Sequence, residues 1–176
     1  MNELIMQVIF YILKELDIPS IDKIKLIKLV YLADKYHLLN YGRTITDDKY
    51  FAMPYGPVAD NVYKILETSA NGKNPYFYKD KIKVKIKENA KCKFDMLSET
   101  DKTAINTILD KFAKYETWDI VALTHKYPEW VKHKNEVEKN RKRIPLKISD
   151  LVSIVKEDGF NISHKKLTVL YNMLSN

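Results

Sequence analysis

The run DKIKLIKLVYLADKYHLLNYGRTITDDKYFAMPYGPVADNVY, residues 22–63, decides how this chain is built. From Asp22 to Leu39, Ile24, Leu26, Ile27, Leu29, Val30, Tyr31, Leu32 and Ala33 cover most of a helix's circumference. That pattern predicts a central buried helix rather than a surface one. Its polar positions Asp22, Lys25, Lys28 and Lys35 fall close to one stripe, the expected solvent side. Gly42 supplies the stop, since the left-handed position after a helix favours glycine. Tyr50 to Met53 reads as a short extended segment, and Pro54, Gly56 and Pro57 are expected to bar regular structure after it. Val58 to Ala70 then returns to a helical period through Val62, Tyr63, Ile65 and Leu66.

Working outward, Leu4, Ile5, Val8, Ile9, Ile12, Leu13 and Leu16 predict a helix over 3–16, stopped by Pro19. From Tyr76 the period becomes two. Tyr76, Tyr78, Ile82, Val84 and Ile86 alternate with Lys79, Lys81, Lys83, Lys85 and Lys87, and after Glu88-Asn89 the pattern resumes at Cys92, Phe94 and Met96. This predicts a β-hairpin over 76–96 with a lysine comb on its outer face. Ser98 with Asp101 marks a capped helix start, and Ile105, Ile108, Leu109 and Phe112 form its inner stripe. Thr117 is read as the cap of a shorter helix, Lys132 to Arg143 as a solvated helix or linker. Helical patterns over 150–155 and 163–174 close the chain, Gly159 stopping the first. The expected fold is α-dominated α+β, with six to eight helices and a small antiparallel sheet made of the hairpin and the strand near 50–53.

Composition narrows the function classes. A chain of 176 residues with 45% hydrophobic and 30% charged residues suits one domain with a real core. The single cysteine, Cys92, cannot form an internal disulfide. The Leu4–Leu13 run is too short for a membrane span and lacks the basic flank of a signal peptide, so the cytoplasm is the expected compartment, with no membrane partner. The net charge of +7 is unevenly spread. Residues 73–93 carry eight lysines against Asp80 and Glu88, and residues 132–147 carry seven Lys/Arg against Glu136 and Glu138. Only Arg43, Arg141 and Arg143 are arginines, the residue that forks onto guanine edges and phosphates. Lys79, Lys81, Lys83, Lys85 and Lys87, with Lys139, Arg141, Lys142 and Arg143, are therefore a basic patch read first as a solvated face. Nucleic-acid binding is the alternative.

Three groups of residues are candidates for chemistry or contact. Asp34 and His37 lie about a turn apart on one face, and Arg43 is near enough to return to Asp34. They could form an acid–base pair with an anion-binding arginine, but no nucleophile, glycine cradle or metal-ligand set accompanies them. The favoured reading is a structural polar network, extended by Thr124 and by His125, whose expected partner is a carbonyl or a helix terminus. The four histidines lack zinc-ligand spacing, and neither a metal nor another cofactor is expected. Met53, Tyr55, Gly56, Pro57 and Val58 form a proline-stiffened loop with adaptable contact residues, the candidate partner-binding segment.

The same central stretch resembles the signature of the SocA-like antitoxin, or Panacea, family. The resemblance rests on Lys25, Leu26, Lys28, Leu29, Tyr31, Ala33, Asp34 and His37 of the helix. It continues in Tyr41, Gly42, Arg43, Thr46 and Asp48, and then in Ala52, Met53, Gly56, Pro57 and Val58. A second island follows at Leu97-Ser98 and at Leu123, Thr124, His125, Pro128 and Trp130, so the signature covers about residues 20–133. The family usually has a further proline near Ala59, absent here. The resemblance implies one SocA-like domain over 1–176, with residues 134–176 as a C-terminal helical extension. It implies an antitoxin, not an enzyme, that neutralises a toxin encoded by the adjacent gene through direct binding. In the SocA type a protease is a further partner, and some relatives are described as phage-associated proteins.

Overall fold

The computed structural model describes residues 2–176. The elements run α1 (Glu3–Leu16), β1 (Ile21–Asp22), α2 (Lys23–Tyr41), β2 (Tyr50–Met53), β3 (Gly56–Ala59) and α3 (Asp60–Thr68). They continue as β4 (Phe77–Asp80), β5 (Lys83–Ile86), α4 (Glu99–Phe112), α5 (Thr117–Thr124), α6 (Pro128–Val131), α7 (Lys134–Asn140), β6 (Ile144–Leu146) and α8 (His164–Ser175). The fold is helix-dominated α+β, with eight α-helices among the described residues and two three-stranded antiparallel sheets rather than one.

The central helix is α2, and Gly42 ends it in the left-handed region at φ 81°. The expected solvent stripe does not exist beyond its first turn, because neighbours enclose the helix on every side. Lys28 is 1% exposed and Lys35 is fully buried. Each lysine is held by acceptors from distant parts of the chain: Lys28 Nζ donates to the Pro57 carbonyl at 2.7 Å, and Lys35 Nζ to Glu129 at 2.6 Å. A buried ammonium without such partners would cost far more than the fold could offset.

The prolines after Met53 do not bar regular structure. Pro54 and Tyr55 make a two-residue turn, and Gly56 to Ala59 pairs with Tyr50 to Met53, Pro57 lying opposite Ala52. Pro57 is tolerated because β3 is an edge strand in the order β3-β2-β6, so its missing N–H breaks no ladder. The other edge, β6, comes from the C-terminal part, where Tyr50 pairs with Leu146 and Ala52 with Ile144. The segment expected as a helical extension therefore contains a strand. Its 150–155 stretch forms a 3-10 turn over Ile148–Leu151 instead of an α-helix, while the helix expected over 163–174 forms as α8 with Ser163 as its N-cap.

The hairpin over 76–96 is shorter than expected. It turns at Lys81-Ile82, with Asp80 opposite Lys83, and pairs onward to β1 through Ile21 and Val84. The turn shifts the face of the first strand, so Phe77 and Lys79 lie beside Ile86 and Val84 while Ile82 sits exposed at the tip. Residues 91–96 form no strand; Phe94 instead stacks on Phe10 at 5.6 Å. The Ser98 and Asp101 capping box opens α4. Thr117 is the first residue of α5, not its cap, which is Glu116, and its hydroxyl donates to Asp22 at 2.6 Å, tying α5 to the start of α2.

Candidate partner-binding groove

The first turns of α2, the β2–β3 turn, the start of α5, the β4–β5 turn and the end of α7 surround a groove of about 690 Å³. Ile24, Ile27 and Val58 give it an apolar lining, with Met53, Tyr55, Tyr63, Ile82 and Trp118 around them. Three of the lining residues are exposed apolar side chains: Tyr55 (55%), Trp118 (59%) and Ile82 (67%). Tyr55 and Trp118 meet edge to face at 5.5 Å between ring centres. The Lys23 backbone N–H donates to the Ile82 carbonyl at 2.8 Å, which carries the hairpin tip to the groove's edge.

Of the candidate loop, Tyr55 presents its side chain outward and Met53 is half-buried, its carbonyl accepting from Trp130 Nε1 at 2.9 Å. Gly56, Pro57 and Val58 are buried. Gly56 has φ 99°, and a Cβ there would stand 2.7 Å from Thr124 Oγ1 and 3.0 Å from Lys28 Nζ. Only glycine satisfies both the backbone and the approach. Trp118, Ile82, Tyr63 and Lys28 were not among the expected contact residues. Trp118 sits in the apolar run of α5 with Ile120, Val121 and Leu123, and the lysine alternation through Lys81-Ile82 gives no sign that Ile82 stands in a turn.

The polar residues divide into three separate groups. Asp34 is wholly buried and accepts from the backbone N–H groups of Ile45 and Thr46, from the Thr46 hydroxyl and from the Tyr50 hydroxyl. Burial pushes its carboxyl up to about 6, against the pull of those four donors. Arg43 does not return to it. That guanidinium reaches Asp101 at 2.8 Å, while the Arg43 carbonyl lies 2.7 Å from His37 Nδ1. His37 Nε2 faces Thr100 Oγ1 at 3.1 Å, and burial holds the imidazole below its usual pKa. His125 and Thr124 belong instead beside Gly56. His125 stacks on Trp130 at 3.8 Å, and burial and then the charge of Lys28 lower its pKa to about 4, opposite to the expected effect of a helix terminus.

The basic patch is largely engaged within the chain. Lys79 pairs with Glu67 at 2.6 Å, Lys83 with Asp22 at 2.8 Å and Lys85 with Asp80 at 2.9 Å, while Lys87 donates to the Gly72 carbonyl. Lys81 sits in the hairpin turn at φ 54°. In the later cluster Lys142 faces Glu136 at 3.7 Å, Arg143 pairs with Asp60 and lies over the Phe51 ring, and Lys139 and Arg141 are exposed. Among the described residues, no group of three or more His, Cys, Asp or Glu side chains could hold a metal ion. None of their helices is long and apolar enough to cross a membrane.

Fold and groove define a helix-dominated α+β domain with an aromatic-rimmed apolar surface. The family model described as antitoxin SocA-like, Panacea domain, matches residues 26–131, and the chain belongs to that family. Among curated proteins and among solved structures nothing matches it. The match supports an antitoxin-type role, implies a toxin as partner in general, and suggests a non-catalytic protein.

Proposed function

We propose that this chain acts in the cytoplasm as the antitoxin of a two-gene pair, binding the toxin encoded beside it and blocking it by contact, with no chemistry of its own. The carrying observation is the Tyr55–Trp118 pair, two exposed aromatic rings over an apolar groove in a domain of an antitoxin family. Large amphipathic rings of this kind concentrate interface energy, and their edge-to-face contact holds them ready at little entropic cost. Delivery of the bound toxin to a protease, as in the SocA type, would use the same binding step. A nucleic-acid reading has less support, because Lys79, Lys83 and Lys85 of the hairpin already face carboxylates of the chain.

The test is co-expression with the neighbouring gene. Growth arrest by that gene alone, relief by the wild-type chain and loss of relief with Trp118→Ala or Tyr55→Ala are expected. A neighbouring product that is harmless, or that fails to co-purify with the chain, would sink the reading.

A further inference from the structure

We infer that the groove accepts an apolar segment of its protein partner that carries an acidic side chain, and that Lys28 receives the carboxylate. This rests on the antitoxin reading, to which it adds the chemistry of the occupant.

The two buried lysines of α2 differ in what surrounds them. Lys35 Nζ has three acceptors, Glu129 Oε1, the Leu151 carbonyl and Ser153 Oγ, so its three N–H groups and its charge are all matched. Among the described residues, Lys28 Nζ has one acceptor, the Pro57 carbonyl, and no carboxylate pairs with it. It is nonetheless 1% exposed and lines the groove. Beside Gly56, which Lys28 Nζ also approaches, the buried His125 Nε2 has no hydrogen-bond partner among the described residues. Burial has pushed the Lys28 amine down to about 7, the mark of a charge short of solvation.

The other charges around the groove do not fill this need. Asp22 is taken by Lys83 and Lys23 by Glu67, while Glu138 and Arg141 lie exposed at the groove's rim. Of the two buried lysines among the described residues, Lys28 is the one without a carboxylate partner, so the floor of the groove complements one negative group set among apolar ones. The exposed Tyr55, Trp118 and Ile82 favour a protein segment as occupant, because a peptide covers such side chains over a wider front than a small amphiphile would.

The experiment pans a phage-displayed library of random 12-residue peptides on the full-length chain. It then compares the selected peptides with versions whose acid is changed to the amide. Peptides joining Trp, Phe, Leu or Met to Asp or Glu should be enriched and should be lost on Trp118→Ala. The acid-to-amide change should weaken binding to the wild-type chain about tenfold, the usual weight of a hydrogen bond to a charged group. Against Lys28→Met the same change should matter less than about twofold, because a double-mutant cycle isolates the pair. Lys28→Gln, which can still donate to the Pro57 carbonyl, should behave as Lys28→Met and guards against misfolding of either variant. Selection without acidic preference, equal losses on all three chains, or no binder sensitive to Trp118→Ala would overturn the inference. Neutralisation in co-expression that depends on Trp118 but not on Lys28 would remove the carboxylate and leave the antitoxin reading standing.

Discussion

Lys35 Nζ lies 2.6 Å from Glu129 Oε1, and both side chains are fully buried. The Tyr31 hydroxyl donates to the same carboxylate, Ser153 Oγ donates to its other oxygen at 2.7 Å, and the ammonium stands 4.0 Å from the centre of the Tyr127 ring. The pair joins the middle of α2 to α6 and to the chain beyond β6. Removing one member leaves a buried charge. Lys35→Ala or Glu129→Ala should therefore cost about 3–5 kcal/mol, whereas Lys35→Met with Glu129→Leu should cost much less. Urea unfolding of the three variants checks the order.

Lys28 predicts a pH signature. Its folded pKa of about 7 lies below the ordinary lysine value of 10.5. Between those limits the unfolded chain holds more protons, so this group's share of stability rises with pH from 7 to 10.5 and is lowest below 7. His125, the titratable group beside it on the α5 side, is lowered to about 4 and stays neutral through the window. The charges around the groove are Asp22, Lys23, Glu138 and Arg141. Lys28→Met should be more stable than wild type at pH 6, by about 1–4 kcal/mol, with the gap closing towards pH 10. Denaturation midpoints at several pH values read it directly, and a gap that widened with pH would contradict it.

The groove aromatics should matter for binding and little for folding. Tyr55→Ala and Trp118→Ala should each weaken toxin binding by about 2 kcal/mol, near thirtyfold, with melting temperatures within a few degrees of wild type. Tyr31→Ala is the contrast. Its ring is wholly buried and its hydroxyl serves Glu129, so the fold should lose several kcal/mol, on the order of 3–5. Calorimetric titration and thermal melts on the same preparations separate the two effects.

Asp34→Ala would strip the N–H groups of Ile45 and Thr46 and the hydroxyls of Thr46 and Tyr50 of their shared acceptor. A loss of about 2–4 kcal/mol is expected, with toxin binding reduced only as far as the folded fraction falls. An unchanged melt with abolished binding would move Asp34 from scaffold to contact site.

Binding to random duplex DNA should be weak at physiological salt, because most of the hairpin lysines are held by carboxylates or carbonyls of the chain. Replacing Lys83, Lys85, Arg141 and Arg143 by Gln should change it little. Tight, sequence-dependent binding lost on that replacement would favour the nucleic-acid alternative.

Features set by local sequence were legible. Gly42 as a left-handed stop, Ser98 with Asp101 as a capping box and the apolar circumference of α2 each depend on neighbours a few residues away. The errors arose where distant residues decide. The lysine alternation runs unbroken through Lys81-Ile82, where no glycine announces the turn, so the hairpin was read as too long and its first strand as facing the wrong way. Pro57 looked like a breaker because nothing nearby reveals that its strand is an edge. Lys28 and Lys35 looked solvated because the groups that receive them sit at residues 57, 129, 151 and 153. The groove followed the same rule. Tyr55 could be picked out between its prolines, but Trp118, Ile82 and Lys28 join it only through the packing of α5, the hairpin and α2.

The third strand of the β3-β2-β6 sheet also bears on the order of events at the ribosome. Residues 26–131, the part matched to the family, emerge before Ile144–Leu146 can zip onto β2 and before Leu151 and Ser153 can meet Lys35. Until then the nascent chain carries an open strand edge and a lysine awaiting two of its three acceptors. Roughly one to four seconds of elongation between residues 131 and 153, at about 5–20 residues per second, thus separate a half-built domain from a closed one. A partner meeting the chain during synthesis would find the β2–β3 wall of the groove present but not yet braced.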